Sequence, residues 1–217
     1  MVIIIVGVIG LPGAGKTTLL ASAVYHWLHG KSFLGIKAQK LIFSNFDCPG
    51  CYKLDFDCLG LYNFNHCNMV IDEIMLLADN RNFKSFPQHL KEFFALHRRS
   101  SCNILWASQH ANCDKKIREL TEYYYILDNS PIPHVSIVKP VHHKIDNLED
   151  RYVLGAVVEW RLLARYRYYF LFDSFESRLH SLPAPDMVPW DSSPGCVPRR
   201  PSLIKRLCAF FQNIKKK

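Results

Sequence analysis

One short stretch near the start of the chain limits the possible fold more than any other feature. It follows the β-branched run Val2 to Val8 and precedes Thr17 to His29, where apolar residues recur at helical spacing. Strand, glycine-rich turn and helix in this order form the Walker A or P-loop motif. We therefore expect the turn to join the first strand to the first helix. Its residues are Gly10, Leu11, Pro12, Gly13, Ala14, Gly15, Lys16 and Thr17.

The residue types of this loop predict a site for a nucleoside triphosphate. Glycines let backbone N–H groups converge on phosphate oxygens, and the helix amino terminus adds its positive dipole end. Lys16 is expected to reach the β and γ phosphates, and Thr17 to ligate magnesium. The predicted nucleotide-binding residues run from Gly10 to Thr18, with ATP and Mg²⁺ as cofactors.

A second motif consists of an apolar strand that ends in two acids, Asp72 and Glu73. It resembles a Walker B motif, in which the aspartate holds magnesium through water. Glu73 is then expected to polarise the attacking water as a catalytic residue. A glutamate beside the magnesium aspartate suits hydrolysis better than transfer to an acceptor molecule.

A third motif is the apolar strand Asn103 to Ser108, followed by Gln109. A polar side chain at that strand tip is expected to lie beside the γ-phosphate and to sense its presence. A helix over about Phe86 to Leu96 and a basic turn, His97 to Arg99, come before this strand.

The order of these motifs resembles the ATPase domain of the zonular occludens toxin-like proteins. Those proteins are assembly and export ATPases of filamentous phages, related to the hexameric DNA-pumping translocases. The resemblance covers about residues 1 to 130, and Phe172 to Ser174 more loosely. The segments that carry it are the P-loop, Ser44-Asn45, Val70-Ile71-Asp72-Glu73, His97-Arg98-Arg99 and Ser108-Gln109.

The resemblance implies a homo-oligomeric ring that acts on single-stranded phage DNA. In the translocases an arginine before the glutamine strand reaches the neighbouring subunit's nucleotide, and Arg98 is the matching position. Such an arginine finger neutralises charge in the transition state. Arg99 and Arg118 are alternative fingers, and a third alternative is that the basic turn only ends a helix favourably.

Alternating strands and helices predict an α/β fold with a mostly parallel central sheet flanked by helices. Val135 to Lys139, Val157 to Leu163 and Tyr166 to Phe172 follow one another with little helix, which predicts a β-rich extension at one edge. We expect the ATPase domain to span 1–182. Six prolines mark a linker over 183–202, and a basic tail follows over 203–217.

Most of the net charge of +8 lies in the last 19 residues of the sequence, 199–217. The range 199–217 has seven basic residues and no acidic one. Within it, Leu203 to Lys217 has apolar residues at helical spacing, which makes this segment a candidate basic amphipathic helix. No stretch approaches the roughly 20 apolar residues of a spanning helix. We expect a cytoplasmic protein, peripheral on the inner face of the host inner membrane, whose tail contacts anionic lipid or a membrane protein.

Eight cysteines in 217 residues are too few for a disulfide-stapled secreted domain, so we interpret them as reduced thiols. Structural zinc remains an alternative, because five potential ligands lie close together in sequence. They are Cys48, Cys51, Cys58, His66 and Cys67.

Two other functions also remain open. Small-molecule and nucleotide kinases often begin with a similar P-loop, although no arginine-rich lid follows the core here. The second alternative is an interaction protein that is gated by ATP without hydrolysing it. The Asp72-Glu73 pair favours turnover over both.

Overall fold

The structure, a computed structural model, describes residues 3–76, 87–109, 115–145, 152–157, 161–169 and 171. Three α-helices are found in these ranges: α1 (Lys16–Leu28), α2 (Gln88–Leu96) and α3 (Lys115–Leu120). The strands are β1 (Ile5–Gly10), β2 (Leu41–Ser44), β3 (Tyr52–Lys53), β4 (Cys67–Ile71), β5 (Asn103–Ser108), β6 (Tyr123–Asn129), β7 (Val135–Ile145), β8 (Tyr152–Val157) and β9 (Arg161–Ala164).

All of these strands belong to one sheet in the order β3-β2-β4-β5-β1-β6-β7-β8, with β9 also paired to β7. Strands β1 to β6 run parallel to one another. Helices connect most of them, as parallel pairing requires. The predicted α/β class and mostly parallel sheet are therefore confirmed.

The sheet has an apolar core on each face, because successive strand residues point to opposite sides. On β1, Val6 and Val8 pack in the core that contains Leu20 and Trp27 of α1. Ile5 belongs to the opposite core, which contains Phe94 of α2. A strand that is buried on both faces is apolar at almost every position. This explains why the β1 segment is a continuous apolar run in the sequence.

Strand β5 lies between the strand that leads to the P-loop and the strand that ends in the acids. Ser108 pairs with Ile9 of β1, and Trp106 pairs with Ile71 of β4. Because the three strands are parallel and in this register, their carboxyl ends meet at one edge of the sheet. The three sequence motifs are thereby brought together.

The predicted β-rich extension is an antiparallel addition to the other end of the sheet. Strand β7 pairs with β6, and its free edge pairs with β9 and β8. The predicted strand Tyr166 to Phe172 is wrong in its described part, where a 3₁₀ turn over Arg165–Arg167 follows β9. One more bond in the β7–β9 register, from the Arg165 N–H to the His134 carbonyl at 2.9 Å, precedes the turn, and Tyr168 then contacts His26 of α1.

The predicted linker, 183–202, and tail, 203–217, lie outside the described residues. So do Phe172 to Ser174, which carried the looser part of the resemblance. Within the described part of the chain, no helix combines the length and apolar character needed to cross a membrane.

Candidate functional site

The P-loop connects β1 to α1 through two glycines with left-handed backbone. Gly13 has φ of 76° and Gly15 has φ of 95°, a region that side chains disfavour. The Ala14 N–H donates to the Leu11 carbonyl at 3.1 Å, which closes the turn. Gly15 directly precedes the helix, so the free N–H groups of its first turn face the loop.

Lys16 is held over the loop by the loop's own carbonyl oxygens. Its Nζ donates to the Gly10 carbonyl at 2.8 Å and to the Leu11 carbonyl at 3.3 Å. Burial lowers the pKa of the ammonium, and the carboxylates of Glu73 and Asp72 oppose that shift.

Thr17 and Asp72 join the first two motifs directly. The Thr17 hydroxyl donates to Oδ2 of Asp72 at 2.6 Å, although 55 residues separate them. A hydroxyl and a carboxylate that converge in this way are hard oxygen donors of the kind Mg²⁺ binds. The residues therefore fit the predicted magnesium site.

The position of Asp72 is set by Asn45, at the end of β2. The Asn45 amide donates to the Asp72 carbonyl, and the Asp72 N–H donates to Asn45 Oδ1, each at 2.7 Å. The last β2–β4 pair is Ser44 with Val70. Beyond it, the Asn45 side chain takes the place of a paired strand and bonds the backbone N–H and carbonyl of Asp72. Ser44-Asn45 was part of the resemblance, but the sequence did not show what Asn45 does.

Glu73 adopts a strained backbone conformation directly after Asp72. Its φ is 54°, in the left-handed region that costs a residue with Cβ roughly 1–2 kcal/mol. The fixed Asp72 peptide before it and the 3₁₀ turn Ile74–Leu76 after it define this bend. Strain of this kind often occurs at functional sites.

Gln109 follows β5 at the same edge of the sheet. Its neighbour Ser108 is buried and paired with Ile9, whereas Gln109 is exposed. The strand register therefore puts Gln109 beside both motifs, as expected for a phosphate sensor. That role stays a prediction.

The predicted finger Arg98 lies at the opposite end of the parallel strands. Its guanidinium pairs with Glu122 Oε1 at 2.5 Å, while Oε2 of Glu122 accepts the Ile5 N–H at the start of β1. The length of β1, about 17 Å, separates this pair from the P-loop. Of the alternatives, Arg99 is exposed and Arg118 lies on α3. Arg98 therefore does not lie at the P-loop of its own chain, and its role as a finger stays a prediction.

The five potential zinc ligands do not form one site. Cys48 and Cys51 are buried in the core beside α1, whereas Cys67 is buried in the core on the other face. The Cys67 thiol contacts Cys102, with sulfurs 3.4 Å apart. No group of three or more metal-binding side chains occurs in the ranges that the structure describes.

Two further residues contact the P-loop from the antiparallel extension, and sequence reasoning missed both. The Ser136 hydroxyl donates to the Ala14 carbonyl, and Arg165 Nη1 donates to the Gly13 carbonyl, each at 2.5 Å. They lie more than 120 residues from the loop in sequence. No local pattern marks them, because only the pairing of β7 with β6 and β9 brings them there.

The parallel sheet, the P-loop and the strand-end carboxylate together define a P-loop NTPase fold. In solved structures, this chain is similar to the N-terminal domain of zonular occludens toxin from Neisseria meningitidis. The identity is 14%, the TM-score is 0.51, and the match covers 80% of this chain and 100% of that one. The expected resemblance is thereby confirmed at the level of the fold.

Two other similarities are weaker in geometry. The genome-packaging NTPase B204 from Sulfolobus turreted icosahedral virus 2, in complex with AMPPCP, has 9% identity and a TM-score of 0.45, covering 72% of this chain and 98% of that one. The KaiC-like protein PH0186 from Pyrococcus horikoshii has 14% identity and a TM-score of 0.43, covering 70% and 89%. Comparison of the sequence with protein-family models and with curated proteins finds no match.

Proposed function

We propose that this protein is a magnesium-dependent ATPase that works as a ring and moves phage DNA during virion assembly. The observation that carries the hydrolytic part is the 2.6 Å contact between Thr17 and Asp72, with Glu73 next in the chain. This contact unites the loop that binds phosphate with the carboxylates that serve metal and water. The fold similarity to the zonular occludens toxin domain supports the assembly role.

The chain's own residues have separate tasks in this reaction. The loop N–H groups and Lys16 bind phosphate oxygens and stabilise the charge that develops on them. Thr17 and Asp72 would hold Mg²⁺, which neutralises phosphate charge when bound. Glu73 orients a water molecule for attack on the γ-phosphorus and accepts its proton. Gln109 responds to the presence of the γ-phosphate.

A ring would bring Arg98 to the nucleotide of a neighbouring subunit, because Arg98 does not lie at the P-loop of its own chain. Arg98 is 66% exposed, so a neighbouring subunit's nucleotide can approach it. Its ion pair with Glu122 must open for this, and a pair whose arginine is largely exposed contributes only on the order of 1 kcal/mol. Arg98 would then stabilise transition-state charge across the subunit boundary.

The DNA and membrane components of the proposal rest on the sequence. The basic tail would contact the anionic inner leaflet or a membrane protein, with each near-surface cation adding on the order of 1 kcal/mol. Flotation on anionic vesicles, with and without residues 199–217, tests this. Equal recovery of the two proteins would contradict the membrane role.

The first experiment is phosphate release from ATP and Mg²⁺ with no acceptor added. We expect turnover by the parental protein and none by Lys16→Ala, whereas Lys31→Ala, an exposed lysine beyond α1, should match the parent. ATP use that requires an added acceptor would favour the kinase. Tight ATP binding without any phosphate release would favour the gated interaction protein.

The second experiment is native mass measurement with and without a nonhydrolysable ATP analogue. A ring that forms or tightens with the nucleotide supports the motor. A monomer under both conditions would contradict the ring and leave Arg98 without a site to act on. Adding single-stranded DNA to the phosphate-release assay tests the cargo, because a motor is expected to hydrolyse faster on its track.

A further inference from the structure

Arg165 is packed against the P-loop from outside. Besides donating to the Gly13 carbonyl, its stem lies so close to Gly15 that a Cβ there would meet Arg165 Cδ at 2.6 Å. The backbone N–H of Arg165 is fixed by the His134 carbonyl at 2.9 Å. Its Nε is buried and has no hydrogen-bond partner among the described residues. The guanidinium is thus held at the loop with donor capacity unused.

The strand order decides which part of a bound triphosphate would lie near Arg165. Strands β5 and β4, with Asp72 and Glu73, lie on one side of β1, and β6 and β7 lie on the other. The γ-phosphate must face Asp72 and Glu73 for hydrolysis. The ribose and base must therefore leave the loop on the other side, where β7 and the 3₁₀ turn over Arg165–Arg167 lie.

The side chains next to Arg165 make this a polar and aromatic surface. Tyr169 donates or accepts a hydrogen bond with His134 Nδ1 at 3.0 Å, and the two rings meet edge to face. Burial raises the pKa of the Tyr169 hydroxyl, and the positive charge of Arg165 opposes that shift. The flat face of a guanidinium group stacks well on aromatic rings, and its N–H groups donate hydrogen bonds within the plane of the guanidinium.

We propose that Arg165 binds the nucleoside half of ATP, with its guanidinium forming the surface on which the base and ribose lie. This rests on the proposed function, because it assumes that the P-loop binds ATP. It assigns a nucleotide-recognition role to the antiparallel extension, in addition to the contacts that Ser136 and Arg165 make with the P-loop backbone. The P-loop binds the phosphates, and the extension distinguishes a nucleotide from a bare polyphosphate.

The test compares two probes that share phosphates and differ in the nucleoside. Calorimetry measures binding of MgATP and of magnesium tripolyphosphate to the full chain, its Arg165→Ala variant and its Arg165→Lys variant. We expect Arg165→Ala to weaken ATP binding about tenfold, or about 1.4 kcal/mol, with tripolyphosphate changed less than about twofold. Arg165→Lys keeps the charge without the planar face and should fall between.

Arg167→Ala is the matched control, since Arg167 is exposed in the same turn and its removal changes the net charge equally. Equal weakening of both probes by Arg165→Ala would overturn the inference, because Arg165 would then act through the loop. Unchanged binding of both probes would overturn it as well. Failure of the parental protein to bind either probe would overturn the proposed function, and this inference with it.

Discussion

Asn45 and Asp72 exchange two hydrogen bonds of 2.7 Å, so a side chain from one strand end fixes the backbone of the next. The bonds hold the peptide that carries the metal-site carboxylate. Replacing Asn45 by alanine leaves a part-buried N–H and a carbonyl without this partner, which costs about 1–3 kcal/mol. The Asp72 carboxylate is then free to move away from Thr17.

We therefore expect Asn45→Ala to raise the Mg²⁺ concentration needed for half-maximal ATP hydrolysis about threefold to tenfold. A magnesium titration of phosphate release measures this shift. Asn65→Ala, at an exposed loop position, is the control and should titrate like the parent. An unchanged magnesium requirement in a folded Asn45→Ala protein would show that this pair does not position the metal-site aspartate.

Glu73→Gln separates nucleotide binding from turnover. The amide keeps the size of the side chain but cannot accept a proton from water, so kcat should fall by about 10²–10⁴. ATP affinity, measured by calorimetry, should stay within about threefold of the parent. Glu119→Gln changes an exposed carboxylate on α3 and should hydrolyse normally. Parental turnover by Glu73→Gln would show that another group activates the water.

Gly13 and Gly15 offer a matched pair for the backbone of the P-loop. A Cβ at Gly13 meets nothing within 4 Å, so Gly13→Ala adds only the left-handed strain of about 1–2 kcal/mol. A Cβ at Gly15 would also lie 2.6 Å from Arg165 Cδ and 2.8 Å from Ser136 Oγ. Overpacking of this kind adds typically about 1–3 kcal/mol.

Chemical denaturation should therefore show a lower free energy of unfolding for Gly15→Ala than for Gly13→Ala. Adding Arg165→Ala to Gly15→Ala removes one of the two close contacts and should recover part of the loss. Equal stability of the two single variants would mean that the antiparallel extension does not press on the loop in solution.

His97 predicts a pH dependence of stability. Its ring is 2% exposed, its Nδ1 donates to the Phe94 carbonyl at 2.7 Å, and burial lowers its pKa below the ordinary value of 6.5. The unfolded chain binds a proton here at a higher pH than the folded chain does. Acid therefore favours unfolding, and the stability contributed by neutral His97 is lost as the pH falls below about 6.5 towards the folded pKa.

The free energy of unfolding should fall with decreasing pH in this window by at most about 1.4 kcal/mol per pH unit from this residue. His97→Asn retains a donor for Phe94 and cannot titrate, so its pH profile between 7.5 and 5 should be flatter. His66→Asn, at an exposed position, should keep the parental slope. If the free energy of unfolding of His97→Asn changed with pH as steeply as that of the parent, His97 would not be the source of the pH dependence.

The local features of the site were predictable because each depends on the residue types within one short segment. The spacing of the glycines and of Lys-Thr predicted the P-loop. An apolar run that ends in two acids predicted the carboxyl end of β4. Strand and helix alternation predicted parallel pairing, in which carboxyl ends meet. The same local reasoning failed after Ala164, where β-forming residues suggested a strand and the structure has a turn. Aromatic residues there satisfy contacts with α1, such as Tyr168 with His26.

The amino-acid sequence by itself determined the chemical groups of the predicted phosphate site. The backbone conformation of the glycine loop and the side chains that follow the strand ends depend on residues that are adjacent in sequence. Only the tertiary structure decided which distant groups complete that site. Asn45 reaches Asp72 because β2 and β4 are paired, and Arg165 reaches Gly13 because β7 returns along β6. Pairing between strands that are distant in sequence depends on the whole sheet, so no local sequence pattern at either residue predicts the contact.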